Sequence, residues 1–244
     1  MELFDATIRD IRSFVAEREG KRTWDVEKDH PWPEGGNRNI VLKEDMGLEL
    51  GSPDGESLSS ILWTGTPGLI KDGTITLVGP DISESQGGSL PFAKIVLAEV
   101  NGFTDENTYE RYRDMELIRY TLDLRGYMLR AVSQYQREWC RISRDAVEGG
   151  FSFDILGAAL MEMFREKPYI NAVEILYVTS GLKDVRQLKD ITKDTSRMIG
   201  AMHKMADEED FDCDTCEYQD VCDDAGDLKK MREARMKTVS GGSQ

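Results

Sequence analysis

Residues 153–166 read FDILGAALMEMFRE and residues 170–178 read INAVEILYV, with Pro168 between them. The first run carries its apolar side chains at helical spacing, and Pro168 closes it because proline cannot continue a helix. The second is a run rich in β-branched and aromatic residues, the signature of a strand. A helix delivered straight into a strand, in a chain whose earlier half is dominated by strand-like runs, predicts an α+β fold.

Working outward, EWCRIS at 138–143 predicts a strand before that helix, and a long helix is expected over 183–207 after it. Residues 105–136 read as helical, with Tyr109, Tyr112, Leu117, Tyr120, Leu124, Tyr127 and Leu129 forming an apolar stripe interrupted near Gly126. From 38 to 102 the runs NIVLKEDMGLELG, SSILWTG, GTITLVG and AKIVLAEV are short and β-rich, separated by SPDGES, TPGLIKDG and SESQGGSLP. They predict a mostly antiparallel sheet. Phe4, Ile8, Ile11 and Val15 predict a helix over 3–19, stopped by Gly20, and 21–37 reads as an irregular connector. A short helix over DAGDLKKMREARMK precedes the tail VSGGSQ. The expected fold class is α+β: a mixed, mainly antiparallel sheet with packed helices and a C-terminal cysteine-rich metal-binding segment. The expected divisions are 1–37 for the N-terminal helix and connector, 38–207 for the main domain and 208–244 for the cysteine-rich segment.

With 244 residues the chain can bury a real core without disulfides, and four cysteines are too sparse for a disulfide scaffold. A formal net charge of −15 argues against nucleic acid, whose phosphates would repel the protein. No run approaches the roughly 18 apolar residues that span a bilayer, and MELFDATIRD has no signal-peptide character, so no membrane partner and a cytoplasmic location are expected. SPDG and GTPG are turn chemistry, neither GxxxxGK nor GxGxxG occurs, and two histidines leave no credible hydrolytic triad.

The chemistry-bearing stretch is DCDTCEYQDVCDD at 212–224, which holds three of the four cysteines. Cys213-x2-Cys216 can aim two thiolates at one metal, and Cys222 follows after five residues. Zinc sites usually close with four N or S ligands, whereas an iron–sulfur cube can leave one iron to a non-cysteine ligand. The spacing points to metal, and leaves reduced surface thiols as the plainer alternative. Candidate fourth ligands are Cys140, His203 and the acids Asp212, Asp214, Asp220, Asp223 and Asp224; a small buried cysteine beside Ile142 is more often core. From Asp207 to Asp227 there are eleven Asp or Glu and no Lys or Arg. That density would lower a cluster's reduction potential or form a docking face for a basic partner, and a solvated charge run explains it equally well. On the strand 138–143, Arg137, Trp139 and Arg141 share one face, with Arg144 just beyond. Such a face can bind the phosphates of a coenzyme A-like ligand, with Trp139 stacking on adenine. The blander reading, and the preferred one, is a sheet edge paired to acids.

DGTITLVGPDI (72–82), EWCRISRDAVEGGFSFDILGAAL (138–160), INAVEILYVTS (170–180), MGLELGSPDG (46–55) and the downstream Cys-x2-Cys together resemble the β (acetyl-CoA synthase) subunit of carbon monoxide dehydrogenase/acetyl-CoA synthase. The resemblance covers roughly 38–222. It implies the family's middle domain, which helps contact the corrinoid iron–sulfur protein and coenzyme A, and the start of the domain that carries the metal centre. There the Cys-x2-Cys pair and two later cysteines hold a 4Fe–4S cube, beside nickel on a Cys-Gly-Cys. Cys213, Cys216 and Cys222 match the first three cube ligands; this sequence has no cysteine after Cys222 and no Cys-Gly-Cys. The large N-terminal domain has no counterpart in it either. The resemblance therefore implies an iron–sulfur protein of anaerobic one-carbon metabolism without nickel chemistry, acting in electron transfer or docking with a corrinoid protein or methyltransferase. Two alternatives stand beside it: an enzyme using an open-site cluster, or the Arg/Trp face, on an acyl-CoA or methyl substrate, and a structural zinc protein. A homo-oligomer, in which a neighbouring chain donates the missing ligand, is left open.

Overall fold

The computed structural model describes residues 2–26, 31–36, 39–52, 56–85, 87–133, 136–207 and 216–241. In chain order the elements are α1 (Asp5–Ala16), β1 (Arg22–Asp25), β2 (Met46–Leu50), β3 (Ser57–Thr64), β4 (Thr74–Val78), a 3-10 turn (Ile82–Glu84), β5 (Gly88–Leu90), β6 (Phe92–Val100), α2 (Thr108–Thr121), β7 (Tyr127–Ser133), β8 (Arg137–Ser143), α3 (Arg144–Glu148), α4 (Phe153–Arg165), β9 (Ile170–Val178), α5 (Leu182–Ile191), α6 (Lys193–Asp207), α7 (Gln219–Asp224) and α8 (Gly226–Gly241).

Two sheets carry the architecture. The larger runs β1-β4-β9-β6-β3 and the smaller β5-β2-β8-β7. The strands β3, β4, β6 and β9 are buried almost throughout because both faces of the larger sheet are covered, which removes the alternation of a half-exposed strand. On one of those faces Gly157 of α4 lies so close to β4 that a Cβ there would sit 2.6 Å from Ile75 Cδ1. Phe92, Phe153 and Tyr177 stack where α4 meets the sheet. The N-terminal helix α1 and its N-cap residue Phe4 bury Phe4, Ile8, Ile11 and Phe14 in the same core, with Phe4 edge-on to Trp63.

Asp81 of VGPDI joins two of these elements. Its Oδ1 accepts the N–H groups of Ile82 at 2.7 Å and Phe153 at 3.0 Å, so one carboxylate caps both the 3-10 turn and the start of α4. Ser152, the residue before α4, supplies no side-chain cap of its own. In RISRDAVEGGF, Ser143 Oγ accepts the Ala146 N–H and starts α3, and Gly149-Gly150 turn the chain so that Phe151 packs under Trp32 and Tyr127.

The strand expected at 170–178 and the helix expected at 153–166 are found with their bounds within a residue, and the fold is α+β with mixed sheets. Four expectations are corrected. Within 38–102 the strands pair with one another in parallel, β3 with β6 and β2 with β5; the antiparallel partner of β6 is β9, and that of β2 is β8. Their connectors are long enough to cross over, so neighbours in sequence are not neighbours in hydrogen bonding. The connector 21–37 contains β1, antiparallel to β4. The helix expected over 105–136 ends at Thr121, and Gly126, at φ +80°, turns the chain into β7. Tyr127 and Leu129, two apart, belong to strand spacing rather than to the helical stripe. The long helix over 183–207 is two, broken at buried Thr192, whose hydroxyl donates back to Leu188 O.

Candidate functional site

Strand β8 organises the candidate site because it lies inside the smaller sheet, between β2 and β7, and alternates strictly. Glu138, Cys140 and Ile142 point inward; Arg137, Trp139 and Arg141 point outward. That division is the one the sequence predicts.

The inward face meets the larger sheet at a row of side chains set by strand register: Ser59 on β3 is opposite Lys94 on β6, and Lys94 is opposite Tyr177 on β9. Lys94 Nζ donates to Glu138 Oε1 at 2.5 Å and Oε2 at 2.7 Å, and Ser59 Oγ donates to Oε2 at 2.9 Å. Both charges are removed from solvent, with Lys94 6% and Glu138 1% exposed. Burial pushes the Glu138 carboxyl up, but Lys94 and Arg119 outweigh it and hold the group below the usual glutamate value. Tyr127 Oη and Cys140 Sγ are 3.0 Å apart beside the same carboxylate. Burial, and then Glu138, drive the Cys140 thiol well above its ordinary range. Fully enclosed, protonated and engaged, Cys140 is core and is unsuited to serve as a fourth metal ligand.

On the outward face, the two-residue step of β7 between Leu129 and Ala131 inserts Arg130 as a bulge opposite Trp139. The guanidinium carbons of Arg130 and Arg141 lie 5.1 Å and 5.4 Å from the Trp139 ring centroid, within cation–π range. Arg141 Nε donates to Glu49 Oε1 at 2.8 Å, Arg137 to Ser52 O at 3.1 Å, and Arg144, at the start of α3, to Glu44 O at 3.4 Å. Trp139 Nε1 is buried without a hydrogen-bond partner among the described residues. Gly51, at φ +60°, keeps the β2 end of this face tight, since a Cβ there would sit 2.5 Å from Glu138 O. The expected pairing to an acid holds for Arg141, but on an interior strand rather than a sheet edge. Sequence reasoning missed Arg130, which only the bulge delivers. It also missed Lys94, whose signal was a single cation inside AKIVLAEV.

Cys213, Asp212 and Asp214 lie outside the described residues. Cys216 and Cys222 line one pocket, with Lys204, Met205, Tyr218 and Arg232 also in its wall. Among the described residues no three His, Cys, Asp or Glu side chains gather as a metal group. His203 Nδ1 is hydrogen-bonded to Tyr109 Oη and does not line that pocket. Several acids of the segment have cationic partners: Asp220 with Arg197 at 2.6 Å, Asp223 with Arg232 at 2.9 Å and Asp227 with Lys230 at 3.5 Å. The two thiols share that pocket with Lys204 and with Arg232, which is paired with Asp223.

The family model for the CO dehydrogenase/acetyl-CoA synthase complex beta subunit matches residues 34–183, more than half of the chain. The acetyl-CoA decarbonylase/synthase complex subunit beta of Methanopyrus kandleri is 30% identical over 148 residues, covering 59% of this chain and 30% of that protein. Subunit beta 1 of Methanosarcina thermophila is 27% identical over 183 residues, covering 72% of this chain and 38% of its own. The subunit beta of Methanothermobacter thermautotrophicus is 32% identical over 112 residues, 45% of this chain and 24% of that protein. This chain thus spans about a third of the length of the curated relatives it matches. The matched span 34–183 contains β8, the buried Lys94–Glu138 pair and the Arg/Trp face; Cys216 and Cys222 lie beyond it.

Proposed function

We propose a role that starts from one premise: this chain belongs to the CO dehydrogenase/acetyl-CoA synthase complex beta subunit family. It serves as an iron–sulfur component of anaerobic one-carbon metabolism, in electron transfer or docking with a corrinoid protein or methyltransferase. Cys213, Cys216 and Cys222 would hold a 4Fe–4S cluster. The observation that carries this reading is the convergence of Cys216 and Cys222 on one pocket with cations in its wall. A cluster bound there would supply single-electron transfer. Arg197 and Arg232, through Asp220 and Asp223, hold α7 against α6 and α8, and so orient Cys222. No Cys-Gly-Cys occurs in the sequence, so no nickel step is assigned to it.

The test is protein prepared without oxygen, assayed for iron, sulfide and zinc and examined by electron paramagnetic resonance. Iron and sulfide in cluster proportion with a reducible cubane signal are expected, and the signal should be lost in Cys222→Ser and kept in Cys140→Ser. Zinc alone would replace this reading with a structural zinc site.

A second reading concerns the outward face of β8, and the two guanidiniums over Trp139 favour it. Arg137, Trp139, Arg141 and Arg144 would take a coenzyme A-like ligand, the arginines meeting phosphates and the indole meeting adenine. Arg141 is tethered by Glu49, whereas Arg130 is exposed on its bulge and can swing aside to admit a base. Quenching of tryptophan fluorescence by coenzyme A, absent in Trp139→Ala, would support the face; equal binding by both proteins would remove it.

A further inference from the structure

Lys94 and Glu138 are the least expected residues of the core. Taking two charges out of water is costly, and an apolar pair of similar volume commonly holds a core equally well. What an ion pair adds is direction. Lys94 Nζ reaches both oxygens of Glu138, and Ser59 Oγ takes one of them as well. The backbone repeats the join: Ser59 N–H donates to Gln136 O at 2.6 Å, and Glu138 N–H to Ser57 Oγ at 3.2 Å. Every one of these contacts ties the start of β8, or Gln136 just before it, to β3 or β6 of the opposite sheet.

Trp139 is the residue after Glu138, and its neighbours on the outward face are Arg137 and Arg141. In a strand the side-chain period is two, so the depth and register of Glu138 fix those of Trp139. We infer that Lys94, Glu138 and Ser59 form a positioning cluster for the Arg/Trp face, setting the height and register of β8 so that ligand affinity at Trp139 depends on side chains that never touch the ligand. This rests on the reading that the outward face of β8 binds coenzyme A. The cluster lies on the far side of the strand from that ligand, enclosed between the sheets, and so acts only through the position of β8.

The deciding experiment measures coenzyme A binding by calorimetry, and thermal melting, for the wild type, Trp139→Ala, the double variant K94M/E138L and Ser59→Ala. The double variant replaces the pair by apolar side chains and should melt close to the wild type while binding about tenfold more weakly, the low end of the loss when groups that orient a site's binding side chains are removed. Ser59→Ala removes one of the directional bonds and should weaken binding about threefold. Wild-type affinity in both variants, with Trp139→Ala impaired, overturns the inference and leaves the face intact. Absence of wild-type binding, or equal binding by Trp139→Ala, overturns the reading of the face and the inference with it. If the double variant fails to fold, Ser59→Ala decides, since it keeps the ion pair.

Discussion

The two-sheet body and the helical end that carries the cysteines use charge in opposite ways. In the body, Lys94 and Glu138 are buried between the sheets and answered there by each other and by Ser59. At the end, Asp220, Asp223 and Asp227 stay at the surface, paired with Arg197, Arg232 and Lys230. The apolar anchoring differs as well. The body closes over three stacked aromatics and strands buried along their length, whereas α7 and α8 contribute Val221, Cys222, Leu228 and Met231 to the core. Surface pairs are screened by salt, so the ion pairs that hold α7 against α6 and α8 weaken as ionic strength rises.

The largest effect that would sharpen this contrast comes from splitting the buried pair. Lys94→Met alone or Glu138→Leu alone should cost about 3–5 kcal/mol in urea unfolding, because each leaves an uncompensated buried charge, while the double variant should lose far less. Additive losses would break the comparison. Next is Asp81→Ala, which removes the carboxylate shared by two helical starts and should cost about 1–2 kcal/mol. The same experiments extend to pH. Because the Glu138 carboxyl is held below its ordinary value, its contribution is present above about pH 4.3 and is lost as the pH falls through the folded value. Asp81 runs the other way: burial raises its carboxyl, so its contribution falls as the pH rises past about 3.9. Acid unfolding curves of K94M/E138L should thus be flatter than those of the wild type. The smallest effect concerns the end: raising salt to about 1 M should increase proteolysis within α7 and α8 while leaving the melting of the body unchanged.

The sequence makes some of this plain and hides the rest for physical reasons. EWCRIS alternates, and its buried and outward faces follow from period two alone. INAVEILYV admits no reading but a strand. The segment 105–136 misleads because tyrosines and leucines spaced mostly three to four apart satisfy a helical count until Gly126 breaks it. Parallel pairing between β3 and β6 is a long-range choice that no local run encodes. The Lys94–Glu138 pair was visible only as two separate charges on different strands, and their meeting is a property of register between sheets. The thiols were the easiest feature to find, because metal-ligand spacing is local in the chain.

The double cap at Asp81 bears on the order in which the chain folds. Asp81 and Phe153 are 72 positions apart, so the first turn of α4 cannot receive its cap until β4 and α4 have met. A closure that long is entropically slow and raises the contact order of this part of the fold. The first amides of α4 should accordingly gain protection from hydrogen exchange late in refolding, together with the docking of the helix rather than ahead of it. A fragment that begins after the 3-10 turn would carry α4 without its cap, and its helix would fray from the N-terminal end.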